Sequence, residues 1–329
     1  MTRTEAKKQY IAHIQHLIHE ALGPCVTDEP FALLDFPDIK NVGDSAIWVG
    51  EIAYFRDRFS RSPAYVSAIE NLDPAALERA VPTGPIFLHG GGNLGDIWLG
   101  HQVFREQVLE RWPDRPVVQL PQSIHFNSEA RAKQAADVIS RHKNFTLLVR
   151  DHESLAFAQQ HFDCTVRLCP DMAFCIGEIA PEGAVEFPLL AMRRKDKEQV
   201  ATSEDGAGGD VPVEDWISED PKPVQSARTR GLLESALSFS RARMRVTSYN
   251  AVAEQRVGRG VKQLSRADTI ITDRLHVHII STLMGKPHAV LDNSYGKIAR
   301  FRAAFPEPEG LTYAASSYAD ALAWARQQA

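Results

Sequence analysis

The 329 residues carry 37 Lys and Arg against 42 Asp and Glu, a net charge of -5, so no overall basic surface recommends a nucleic-acid partner. Hydrophobic residues make up 44% of the chain, enough for a large core and, at this length, two domains. No apolar run approaches the roughly 20 residues a membrane span needs, Met1–Tyr10 lacks a signal-peptide core, and Cys25, Cys164, Cys169 and Cys175 form no CxxC pair, so reduced thiols in a cytoplasmic protein are expected.

In chain order, residues 6–22 set Tyr10, Ile14, Leu17, Ile18 and Ala21 at helical spacing, which predicts a helix with one core-facing side. His13, His16 and His19 spread around that helix instead of converging, the pattern of solvated side chains and not of metal ligands. Apolar runs at Phe31–Phe36, Ala64–Ala68, Pro85–His89, Pro116–Leu120, Phe145–Val149 and Thr165–Leu168 read as strands with helical stretches between them. The clearest helix, 128–142, has Ser128 at its N-cap and a stripe of Ala132, Ala135, Ala136 and Ile139. A second series follows at Phe187–Met192, Thr269–Thr272 and His288–Leu291. Strands alternating with helices predict parallel pairing through crossovers, and so an α/β fold of two sheets facing a cleft.

Gly177, Pro181 and Gly183 interrupt the pattern and place a boundary at 175–185, dividing the chain into 1–178 and 179–329. Residues 196–228 are rich in Asp, Glu, Gly and Pro and poor in helical periodicity, which predicts a mobile insertion. It serves as a lid only if Trp216, its largest apolar group, docks; an exposed loop is equally consistent.

The stretch Pro85–Asp96 runs from a short strand into Gly90, Gly91, Gly92, Asn93, Gly95 and Asp96. Three consecutive glycines at a strand end let backbone N–H groups approach an anion or a sugar, where a merely tight turn needs fewer. Gly90, Gly92 and Gly95 formally match G-x-G-x-x-G, but on about the third strand and without an acid closing the next one, which argues against a dinucleotide. Nearly every strand ends in polar groups: Asp35, His89, Gln122, Arg150–Asp151, Asp171, Arg193, Asp273–Arg274 and Asn293. In open α/β sheets ligands bind outside those ends. Asp151, which precedes a helical stretch, reads more simply as a helix cap. Arg274 and His276 sit where a strand hands over to a helix, a receptacle for phosphate or carboxylate with a proton-transferring group beside it. A buried histidine satisfied by backbone is the plainer alternative for His276 and a stronger one for His278; two histidines at that spacing point to different helix faces, so no metal site is expected. Arg193 closes the first strand of the second series, and Ser294 and Lys297 flank the start of another helix that could meet an anion.

These residues resemble the polysaccharide pyruvyl transferase family. The matching blocks are Asn41–Asp44, His89–Asp96, Pro121–Ser123, Val149–Ser154, Cys169–Met172, Arg193 with its neighbours, and Asp273–His276, in the family's order and spanning about residues 35 to 300. The resemblance implies two Rossmann-like domains facing across a cleft, akin to GT-B glycosyltransferases. It also implies transfer of a pyruvyl group from phosphoenolpyruvate to a sugar in an exopolysaccharide or cell-surface glycan precursor, as a ketal, with phosphate released and no further cofactor. The second domain would hold phosphoenolpyruvate through Arg193, Arg274, His276, Ser294 and Lys297. The first would receive the sugar through Asn41, Gly90, Gly91, Gly92, Asn93, Asp96, Gln122, Arg150 and Asp171. His276, Asp44 and His89 are the catalytic candidates. A lipid-linked acceptor would bring the protein into peripheral contact with the cytoplasmic membrane face. A nucleotide-sugar glycosyltransferase and a non-catalytic glycan or phosphate binder are the competing readings, and a simple enolpyruvyl ether is the alternative product.

Overall fold

The computed structural model describes residues 2–194, 211–236, 241–292 and 296–328. The chain begins with helix α1 (Arg3–Leu22), closed at its start by a capping box between Thr2 and Glu5. It continues through β1 (Ala32–Leu34), α2 (Val42–Phe59), β2 (Tyr65–Ser67), α3 (Pro74–Ala80), β3 (Ile86–Leu88), β4 (Gly91–Gly95), α4 (Leu99–Arg111), β5 (Val117–His125), α5 (Glu129–Ile139), β6 (Phe145–Val149), α6 (His152–His161) and β7 (Thr165–Leu168). These strands form one parallel sheet in the order β2-β1-β3-β5-β6-β7, with β4 also paired to β5. The second half supplies β8 (Phe187–Met192), β9 (Val213–Glu214), α7 (Pro221–Ala236), α8 (Arg241–Ser265), β10 (Ala267–Thr272), α9 (Leu275–Met284), β11 (His288–Val290), α10 (Lys297–Ala304), β12 (Thr312–Ala314) and α11 (Tyr318–Ala325). Its parallel sheet has the order β12-β11-β10-β8-β9.

Period-two alternation sorts the strand side chains between two layers. In β1, Leu33 faces a core shared with α1, α2, α8 and α9, while Ala32 and Leu34 face α3, α4 and α5 on the opposite side. The shared core also takes Leu190 and Met192 of β8 and Ile270 of β10, so both sheets pack onto one helical layer. Helix α1 is bound to the second half as well, the Tyr10 hydroxyl donating to the Phe305 carbonyl at 3.0 Å, and Lys7 pairs with Glu178 at the boundary at 2.7 Å.

Each sheet reverses its winding once. The chain leaves β1 toward β2 on one side and then returns to β3 on the other; β8, β9, β10 and β11 repeat the device. The crevice at such a switch point is where an open α/β sheet binds its ligand. Here the two crevices are bordered by Asp35 and His89, and by Arg194 and Arg274, which follow β1, β3, β8 and β10.

Two expectations change. The glycine-rich stretch is not only a loop, since Gly91–Gly95 pairs with β5 as a short strand; a β-carbon on Gly95, at φ 130°, would stand 1.8 Å from the His125 carbonyl oxygen. Residues 211–228, read as irregular, form β9 and the start of α7, and Trp216 is 1% exposed in the shared core. Low periodicity misled because β9 is only two residues long and α7 is largely polar outward. The rest of that segment, 196–210, lies outside the described residues. Among the described residues no helix is long and apolar enough to cross a membrane.

Candidate active site

Between the two switch points lies a cavity of about 450 Å³. It is lined by Asn41, Asp44, His89, Gly92, Asn93 and Arg150 from the first half and by Arg274, His276 and Lys297 from the second, all of them sequence candidates. Lys40, Trp98, His101, Arg194, Trp216 and Ile217 complete the polar and aromatic wall. Among the described lining residues, Lys40, Arg150, Arg194, Arg274 and Lys297 stand against the single carboxylate of Asp44.

Three helices begin at this wall. Asn41 is the N-cap of α2, its Oδ1 accepting from the Gly43 N–H at 3.0 Å while its Nδ2 donates to Asp44 at 2.7 Å. Arg274 is the N-cap of α9, and Lys297 is the first residue of α10. Helix N-termini present unpaired N–H groups and the positive end of the helix dipole, so their convergence adds to the cationic lining.

The second-half face is held by buried ion pairs. Arg274 reaches Asp215 through two contacts, Nε to Oδ1 at 2.5 Å and Nη2 to Oδ2 at 2.8 Å, with both side chains nearly inaccessible. Asp215 in turn accepts from the backbone N–H of Trp216 at 2.6 Å, which ties the turn carrying the indole to the arginine. His276 Nε2 lies 3.3 Å from Asp171 Oδ2, and the same carboxylate receives Arg150 Nη1 at 2.5 Å and the Ala173 N–H at 2.9 Å. Burial alone would raise the Asp171 carboxyl; the charges and hydrogen bonds of His276 and Arg150 outweigh it and hold the group well below the usual carboxylate range.

The first-half face is a network of amides and carboxylates. Gln122 donates to the His89 carbonyl and to Asn93, and accepts from the Asn93 N–H at 3.0 Å. The buried Arg105 bonds Gln119, Gln102 and Asn93, so Asn93 is fixed from both sides. His89 Nδ1 is 2.8 Å from Glu51 Oε2, and the other Glu51 oxygen accepts from the Gly90 N–H at 2.8 Å. At the mouth, His101 Nδ1 contacts Asp35 at 2.9 Å, and Asp35 holds φ 70°, strained for a non-glycine residue. Trp98 is 44% exposed there, with Ile39 and Ile217 as its apolar neighbours on the wall.

Not every candidate lines the cavity. Gly90, Gly91, Gln122 and Asp171 stand behind it, supporting those that do. Asp96 accepts from the N–H groups of Asn127 and Ser128 at 2.9 and 2.8 Å, organising the turn before α5. Arg193 turns away, 3.7 Å from Asp273 and 5.0 Å over the Tyr318 ring, whereas its neighbour Arg194 lines the cavity. Ser294 lies outside the described residues. Glu51, Trp98, His101 and Lys40 were not singled out from the sequence. The only signal for Glu51 was its position seven residues after Asp44, two turns along the same helix face.

A family model described as polysaccharide pyruvyl transferase matches residues 41–295. Pyruvyl transferase 1 of Schizosaccharomyces pombe is 33% identical over 82% of this chain and 68% of its own length. EpsO of Bacillus subtilis, which carries the pyruvyl transferase name, is 29% identical over 81% of this chain and 82% of its own. A crystal structure from Klebsiella pneumoniae, of a protein without an assigned function, superposes with a TM-score of 0.52 at 15% identity, covering 93% of this chain and 98% of that one, a likeness of fold alone.

Proposed function

The chain belongs to the polysaccharide pyruvyl transferase family and is an enzyme, and from that premise we propose that it moves a pyruvyl group from phosphoenolpyruvate onto two hydroxyls of a sugar, closing a ketal and releasing phosphate. The observation that carries the reading is the meeting of three helix N-termini with Arg194, Arg274, Lys297 and the carboxylate-backed His276 in one cavity. Phosphoenolpyruvate has a phosphate and a carboxylate, and both suit guanidinium forks and helix N-termini.

In this reading a sugar hydroxyl adds to C2 of the donor while C3 takes a proton from His276, which Asp171 keeps oriented; the hydroxyl's own proton leaves with the phosphate. Phosphate leaves C2, and the second hydroxyl attacks the oxocarbenium carbon and returns its proton to His276. No further cofactor takes part. The sugar enters beside Trp98 and His101, where a half-exposed indole offers a face to its C–H surface and the His101–Asp35 pair a polar contact. The acceptor is a glycan precursor, lipid-linked and met at the cytoplasmic membrane face. Nucleotide-sugar transfer is not favoured, because the family match is to pyruvyl transfer.

The test is calorimetry of phosphoenolpyruvate with the wild-type chain and Arg274→Ala, with UDP-glucose and NAD as comparison ligands. It is paired with phosphate release on a panel of p-nitrophenyl hexosides. Selective phosphoenolpyruvate binding lost in the variant supports the assignment. Binding of UDP-glucose but not phosphoenolpyruvate overturns it.

A further inference from the structure

The first addition needs two proton movements at once, one onto C3 and one off the attacking hydroxyl, and His276 accounts for only the first. The hydroxyl that attacks C2 must lose a proton as C3 gains one. The opposite wall of the cavity holds a second carboxylate-backed histidine. His89 is 2% exposed and its Nδ1 is 2.8 Å from Glu51 Oε2, while its Nε2 is buried and meets no hydrogen-bonding partner. A buried ring nitrogen left without a partner costs stability unless something else occupies it. Glu51 is itself fully buried and is held on its second oxygen by the Gly90 N–H, so the imidazole cannot swing away. The whole arrangement is set by backbone: α2 delivers Asp44 and Glu51 two turns apart, and β3 ends directly at His89.

We infer that His89 is the base that takes the proton of the attacking sugar hydroxyl, with Glu51 as its positioning residue; this rests on the pyruvyl-transfer reading of the same cavity. With Nδ1–H donating to Glu51, Nε2 carries the ring's lone pair, on a residue that belongs to the cavity lining. The hydroxyl oxygen bonds C2 and its proton passes to His89 Nε2, while His276 protonates C3. The C2–O bond to phosphate then breaks, and the leaving group carries off the His89 proton as hydrogen phosphate. The second hydroxyl closes the ketal and re-protonates His276. Both histidines finish as they began.

The charges facing the ring are Glu51, Asp35 and Asp44, with Asp171 acting on Glu51 and Arg150 and Lys297 across Gly92. Burial lowers the imidazole, but these carboxylates outweigh it and carry it above its ordinary value.

The test compares His89→Gln and Glu51→Gln with the wild type, using phosphoenolpyruvate calorimetry and turnover of the p-nitrophenyl hexoside that the wild-type chain accepts. Expected are donor affinities within about twofold and a turnover loss of about 10²–10⁴ in His89→Gln. The acid limb of kcat/KM should move to lower pH in Glu51→Gln, because the charge that lifts the imidazole is gone. Near-wild-type turnover in His89→Gln with the donor bound, an unmoved acid limb in Glu51→Gln, or loss of donor binding in both, overturns the inference. Should a variant fail to fold, ¹⁵N-histidine NMR of the wild type decides: a neutral ring protonated at Nδ1 supports the pair, and one protonated at Nε2 excludes it. If the wild type binds no phosphoenolpyruvate or turns over no hexoside, the functional reading fails by itself, and the same spectrum still reports on the pair.

Discussion

A β-carbon on Gly43, the second residue of α2, would stand 2.5 Å from His276 Nδ1 on α9. The head of one helix is therefore a seat for the histidine at the head of the other, and only glycine leaves room for it. Gly43→Ala is expected to push His276 off Asp171 and cut turnover by at least tenfold. Overpacking of this kind costs about 1–3 kcal/mol, which a thermal melt would register. Unchanged turnover would show that His276 tolerates displacement.

Asp171 joins His276 and Arg150, and its depressed carboxyl makes that junction pH-dependent. A carboxyl lowered in the folded chain contributes stability above its unfolded value of about 3.9, and that contribution is lost as pH falls further toward the folded value. Asp171→Asn should show weaker dependence of stability on pH below about 4 than wild type. Removing one partner of a buried pair should also cost about 3–5 kcal/mol at neutral pH, measured by urea unfolding. Identical acid limbs for the two chains would contradict the pairing.

In the proposed reaction Trp98 meets the acceptor and not the donor. It is half exposed at the mouth and distant in sequence from the donor cations, so Trp98→Ala is expected to raise the KM for the sugar several-fold. Donor affinity should stay unchanged, and stability should move by less than about 0.5 kcal/mol. A rise in the donor's dissociation constant instead would move the aromatic wall to the phosphoenolpyruvate side.

Beneath α9, His278 Nδ1 lies 2.8 Å from His288 Nε2, and burial pushes both histidines down to about 3. Unfolded, each titrates near 6.5, so between those values the unfolded chain binds more protons and stability rises with pH. The contribution is complete above about pH 6.5 and is lost as pH falls toward 3, at a slope on the order of 1–3 kcal/mol per pH unit for the pair. Urea midpoints at pH 7.5 and 5.0 should differ accordingly, and His288→Gln should flatten the difference. Parallel profiles for the two chains would refute it.

The cavity's composition was readable from the chain because parallel strands expose their carboxyl ends in order, and polar residues at those ends have few other structural uses. Asn41, Asp44, His89, Asn93, Arg150, Arg274, His276 and Lys297 all came from that regularity and from the motif order, and they line one cavity. Neighbouring residues were harder to separate. Successive side chains near a strand end point in opposite directions, so Arg193 and Arg194 look alike in sequence; the Arg193 N–H bond to the Glu214 carbonyl sets the register that leaves Arg194 on the cavity side.

Local pattern alone determined that strands and helices alternate, that the sheets are parallel, and that chemistry collects at their carboxyl ends, since each of these follows from hydrophobic period and chain direction. Tertiary structure decided what depends on contacts distant along the chain. Glu51 behind His89, Asp171 behind His276 and Asp215 behind Arg274 are separated by 38, 105 and 59 residues. Sequence periodicity reports which side of an element is buried, not which residue of another element it meets there. For that reason the nitrogens and guanidinium groups of the site, and Asp171 itself, could be named beforehand, while Glu51, Asp215 and the pairings that orient the site became visible only when two sheets closed on one helical layer.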